Sequence, residues 1–288
     1  MITLPSLLEG RCISALRLES GLHPVRLLAA KEALETVTSP RRSVWLLGLF
    51  VMFALGSLAL ILKATGGSYM LNNKALSTLL GLITGLGAVF ATVAGTDAIA
   101  GEQERGSWTS LLVAPLSSRQ IVRGKLAAPL AAWGAILILT VPALWALGST
   151  TSRFTLQALG VVAVGTPVVL GFGFLAFGLA ARLSSGPWAL SLSLGALGLA
   201  ASPIVWDQEL GARSLGAAFE TIDPFWGALR FYDAVANQPQ TWDQHGAYAL
   251  PGLVWLVVTS RFALASHRHV QWRGPQSIGA KFHVWPIW

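Results

Sequence analysis

Glu102 and Glu104 are the first residues of this 288-residue chain to suggest chemistry, because two nearby carboxylates can divide general acid and base work. They stand at i,i+2, so on a helix they project from different faces and do not converge on one atom. His267 and His269 flank Arg268 with no cysteine or acid beside them, which reads as a solvated basic tail rather than a metal site. Cys12 is the sole cysteine, so neither an internal disulfide nor a thiolate cluster can form. Gly124-Lys125 ends as a phosphate-binding P-loop ends. The pattern GxxxxGK[ST] needs glycine where Arg119 stands and Ser or Thr where Leu126 stands. The residues therefore offer no catalytic group, no metal ligand and no cofactor site, and ATP is not bound through that loop.

The elements that carry these residues are set by composition. Hydrophobic residues make up 53% of the chain and charged residues 11%, against about 25% charged in a soluble globule. Mean hydropathy is +0.60. The chain reads as an all-α integral membrane protein. Its net charge of +7 is not gathered on one tract, so a nucleic-acid partner is excluded in favour of topology. Six uncharged apolar runs of spanning length fall at 43–63, 76–97, 126–148, 157–181, 187–205 and 246–263. The last is interrupted by Pro251 and has Arg261 near its end. An intramembrane enzyme or proton relay would need ionisable groups inside these runs, and they hold essentially none.

Residues 1–20 contain Glu9, Arg11, Arg17 and Glu19, leaving no uninterrupted apolar core for a secretory signal, so the first span is expected to act as its own insertion signal. Counting Lys and Arg on alternate sides places fifteen with the N-terminal tail, the 98–125 loop, Arg182 and the C-terminal tail, and five on the other side. Both termini and that loop are expected in the cytoplasm, in a cell (inner or plasma) membrane. The expected domains are a tail and interfacial helix over 1–42, a six-span unit over 43–263, and a cytoplasmic tail over 264–288.

Pro24 to Val37 is amphipathic, with Leu27, Ala30, Leu34 and Val37 as the apolar stripe and Lys31 and Glu35 as an i,i+4 pair. Pro24 suits a first helical position, and Arg41-Arg42 mark entry to the membrane. The loop 206–245 holds six acids against two bases, with Leu215, Ala218, Phe219 and Ile222 at helical spacing and a restart at Pro224-Phe225-Trp226. It is expected to form one or two short helices over the outer mouth, a structureless connector being the alternative. Trp45, Trp188, Trp206 and Trp255 fall near span ends as interfacial anchors. Gly81 and Gly85 form a GxxxG that favours close helix packing, and Gly171, Gly173 and Gly178 lighten one part of the fourth span.

Asp97 to Lys125 packs charge between two runs, 75–96 and 126–152, that have no ionisable residue. The second span is expected to continue through Glu102, Glu104 and Arg105, with Gly106 permitting a turn. Ser107 caps a short helix over Trp108 to Val113, Pro115 ends it, and Ser117 or Ser118 caps the next, carrying Arg119, Arg123 and Lys125. Such an elbow can pass a rigid-body push into the bilayer; as charge alone it would only fix topology. Its residue order, E-x-E-R-G-S-x-x-x-L-L-x-x-P-x-S-S-R-x-I-x-x-G-K, resembles the loop of type-2 ABC exporter permeases. The matching residues are Glu102, Glu104, Arg105, Gly106, Ser107, Leu111, Leu112, Pro115, Ile121, Gly124 and Lys125. Ser107 stands where that family usually has Thr, and Arg119 is slightly displaced. The stretch from His23-Pro24 through Lys31-Glu32 to Arg41-Arg42 is similar to the family's N-terminal elbow helix. The DAIAGE-x-ERG wording is also similar to permeases associated with maturation of multicopper enzymes such as nitrous-oxide reductase.

The resemblance implies a permease subunit without catalysis of its own, paired with a second permease copy and with cytosolic ATPase subunits that hold ATP and Mg. It implies that the loop after the second span is the coupling helix, with Glu102, Glu104 and Arg105 facing the ATPase. A membrane-embedded assembly factor or scaffold without transport predicts the same six spans and stays open.

Overall fold

A computed structural model describes residues 24–39, 44, 47–48, 50–56, 73–104, 116–148, 159–183, 185–202, 222–237 and 246–268, and every element among them is helical, without strands. The helices are α1 (Pro24–Thr38), α2 (Asn73–Glu104), α3 (Ser118–Lys125) and α4 (Ala127–Gly148). They continue as α5 (Thr166–Arg182), α6 (Gly186–Ala201), α7 (Pro224–Asn237) and α8 (Leu250–Ala265). Among the described residues, four stretches are long and apolar enough to cross a membrane: Ser77–Glu104, Ser118–Pro142, Val161–Arg182 and Ala247–Ala265. They coincide with expected spans two, three, four and six. The fifth appears as α6, apolar but only 16 residues long. Residues 50–56 of the first expected span are helical, and much of that span lies outside the described residues.

α2 is the axis of the bundle, packing against α4, α5, α6 and α7. At 32 residues it is about 48 Å long, well beyond a hydrocarbon layer of about 30 Å, so its charged end can reach water. Its core contacts are Leu79, Leu80, Ile83, Ala88, Phe90 and Ala91, all buried. α2 and α5 meet backbone to backbone: a Cβ on Gly95 would stand 2.3 Å from the Gly173 carbonyl oxygen. Apolar burial gives little drive between helices in lipid, so this close approach supplies the dispersion contact instead.

α5 is entered through a widened π turn, Val161–Gly165. Pro167 cannot donate to the carbonyl four residues back and its ring crowds that carbonyl, so the ladder relaxes there. Thr166 just after it accepts the Trp133 indole N–H at 2.9 Å, tying α5 to α4.

α7 corrects the picture of a helix resting over the mouth. Phe225, Ala228, Phe231, Tyr232 and Val235 are buried, and Tyr232 Oη is hydrogen-bonded to Thr84 Oγ1 at 2.9 Å, well inside α2's apolar run. The GxxxG pair receives this helix rather than another long one, since Cβ atoms on Gly81 and Gly85 would meet Leu229 and Phe225. Trp188 is 73% exposed at the start of α6, as an anchor should be, whereas Trp255 packs on Phe172 with ring centroids 5.2 Å apart. Trp45, Trp206 and the Leu215–Phe219 segment lie outside the described residues. Leu253, Val254, Val257 and Val258 on α8 and Ile138 on α4 are exposed, the outward faces that lipid or another membrane chain covers.

Candidate functional site

The site forms where α1, the charged end of α2 and α3 meet. Ser117 caps α3 with a full capping box: the Gln120 amide donates to Ser117 Oγ at 3.3 Å, and the Ser117 amide donates to Gln120 Oε1 at 2.8 Å. α3 then runs through Leu126 into α4, so the charged segment and the apolar helix form one rod. α3 buries Ser118, Ile121, Val122, Gly124 and Lys125 and exposes Arg119 and Arg123.

α1 docks with an unexpected face. Ala30, Leu34 and Val37 of the apolar stripe point away from the protein, and the helix buries Leu28, Glu32 and Thr36. Leu28 fills the space over Gly124, where a Cβ would come within 2.6 Å of its Cδ2. That missing side chain lets α1 approach until Glu32 reaches Lys125, 93 residues away in sequence.

Lys125 is 0% exposed, and its ammonium donates to Glu32 Oε1 at 2.7 Å, to the Ala98 carbonyl at 2.9 Å and sits 3.0 Å from Glu102 Oε1. Three protons thus meet three acceptors from two other helices, which is what a buried ammonium requires. Lys31 extends the network, 3.3 Å from Glu35 and 4.0 Å from Glu102. Burial pushes the Glu32 carboxyl above its usual range, with Lys125 opposing that shift. Burial works against the charge on Lys31, but Glu35, Glu102 and Glu32 together hold its pKa above the ordinary value. The carboxylates of Glu32, Glu35 and Glu102 lie within 4.8 Å of one another, a spacing that suits a cation. Lys125 and Lys31 are the cations that meet it.

The structure therefore brings Glu102, Gly124, Lys125, Lys31 and Glu32 together, with Pro24 as the first residue of α1. Glu102 and Lys125 point inward, whereas Glu104 is exposed, as the i,i+2 spacing requires. Arg41, Arg42, Arg105, Gly106, Ser107, Leu111, Leu112 and Pro115 lie outside the described residues. Leu28 and the Glu32–Lys125 pairing were not read from the sequence. The available signal was a lysine and a glutamate bordering apolar helices, each needing a partner before it could be buried.

At the C-terminal end of α5, Arg182 is fixed to α8. Its guanidinium lies 3.5 Å from the centroid of the Phe262 ring and donates to the Phe262 carbonyl at 3.4 Å.

Comparison with curated proteins found no match. The family model for ABC-2 family transporter proteins matches residues 26–205, from the start of α1 past the end of α6. That match covers well over half of the chain and includes every residue of the ion cluster, so this multi-pass membrane protein belongs to the ABC-2 transporter family.

Proposed function

We propose that the chain is the permease subunit of an ABC exporter, working as a pair of permease copies driven by a separate cytosolic ATPase that holds ATP and Mg. The observation that carries this reading is the charged junction between α2 and α3 within a family-matched segment. Long apolar helices on both sides make it a lever. Glu104, Arg119 and Arg123 are its exposed charges, and Arg105 follows Glu104 in sequence. The positive-inside count puts this junction and both termini in the cytoplasm of a cell membrane, with the first expected span completing six. ATP-driven closure of the ATPase would push the junction, tilt α2 and α4, and open a path at the permease interface. The similarity of the 97–106 wording supports a place in the multicopper-maturation branch.

Replacing Glu104 and Arg105 by alanine should leave insertion and abundance unchanged while uncoupling hydrolysis from transport. The assay is ATP hydrolysis and transport by the copurified complex in vesicles; coupled transport at wild-type level would remove the junction from the mechanism. A scaffold without transport predicts that hydrolysis by the copurifying ATPase is indifferent to the presence of this chain.

A further inference from the structure

We propose that Lys125 is a positioning residue that clamps α1, the charged end of α2 and the α3–α4 rod into a single body, so that a push on the junction moves all three together. The ammonium reaches Glu32 on α1 and both Glu102 and the Ala98 carbonyl on α2 from its own place on α3. No water competes for it, because its exposure is nil. A pair so enclosed is held by charge-assisted hydrogen bonds, and breaking one partner leaves an uncompensated buried charge. Sliding α1 along α3 would break the clamp and also drive Leu28 off the bare surface at Gly124. Glu102 and Lys125 thus act behind the docking surface, through the helices they join, while the exposed charges meet the partner. The transmission part of this proposal rests on the ATPase-driven reading above.

The contact at Gly124 also supplies the test. A Cβ there would stand 3.0 Å from Leu28 Cβ, a few tenths of an ångström inside the separation of about 3.5–4.5 Å that a disulfide needs. Leu28→Cys with Gly124→Cys, in a Cys12→Ser background, should therefore cross-link rapidly on oxidation. Adding Lys125→Met should slow that reaction roughly tenfold, the effect of losing about one charge-assisted hydrogen bond that holds the two helices together. This readout uses the chain alone in membranes, so an unchanged rate overturns the clamp whether or not an ATPase is ever found.

The second readout compares oxidised and reduced double-cysteine protein within the full transporter. The oxidised form should match the reduced form in transport per ATP hydrolysed, and oxidation should restore coupling lost in the Lys125→Met version. Transport stopped by oxidation and revived by reductant would show that α1 and α3 separate during the cycle, overturning the single-body proposal. Hydrolysis independent of this chain in every form would instead refute the transporter reading, leaving the cross-linking rate to decide the clamp.

Discussion

Asp223 opens α7 with one carboxylate oxygen accepting the Phe225 amide at 2.9 Å and the other buried with no hydrogen-bond partner among the described residues. Burial raises its pKa above the ordinary 3.8, and the Phe225 and Trp226 amides oppose the shift. A carboxyl whose folded pKa is raised binds its proton more tightly in the folded protein. Its stabilising contribution is therefore complete below 3.8 and lost as pH rises through the folded value. Asp223→Asn keeps the capping oxygen and removes the charge, so it should melt like the wild type or slightly higher near neutral pH and flatten the acid-side rise. Asp223→Ala loses the cap and should cost about 1 kcal/mol. Thermal melts in detergent across the carboxylate range distinguish these outcomes. Capping of this kind is local and can be read from residue order, which narrowed the α3 cap to Ser117 or Ser118, of which Ser117 is the one. The Glu32–Lys125 pair could not be, because nothing in either neighbourhood says which distant charge is the partner.

Gly95 shows what a single element contributes to the bundle. It sits on α2 against the Gly173 carbonyl of α5, and Gly173 in turn faces Ala91 and Pro129. Gly95→Ala would force two backbones apart along the most extensive helix contact, costing about 1–3 kcal/mol as an overpacked site does. Among the described residues, nothing lies within 4 Å of a would-be Cβ on Gly198 of α6. Gly198→Ala should be neutral or stabilise by up to about 1 kcal/mol through helix propensity. Unfolding of the two variants in matched detergent measures the contrast, and equal losses would mean that α2 and α5 do not meet closely here. The existence of these elements was legible because an uncharged run of about 20 residues has few other solutions. Their neighbours were less so. Gly81 and Gly85 announced a close contact without naming the partner, and the restart at Pro224-Phe225-Trp226 announced a helix but not that its apolar side chains would be buried beside Thr84. Leu34 and Val37 likewise marked an apolar stripe on α1, yet the face that docks holds Glu32, an inward charge that periodicity assigns to solvent.

At the scale of the whole molecule, α2 joins two specialised ends. Thr84, where α7 docks, is 18 residues from Glu102, where the ion cluster begins, which is about 27 Å along a helix. The cluster and α7 are therefore held at opposite ends of one rod, and a tilt imposed at the charged end must displace the α7 contact at the other. This requires the two ends to face opposite sides of the membrane, with the charged junction in the cytoplasm. Ser117 is exposed beside α3, and Ile222 is exposed just before α7. In a Cys12→Ser background, Ser117→Cys should be protected from a membrane-impermeant maleimide in intact cells and react after permeabilisation. Ile222→Cys should react in intact cells. Labelling of both positions from one side would break the rod's geometry, and exchanged sides would invert the orientation drawn from the lysine and arginine count. Either result would leave the family membership and helix packing intact while removing the path by which the proposed cytosolic push would reach α7.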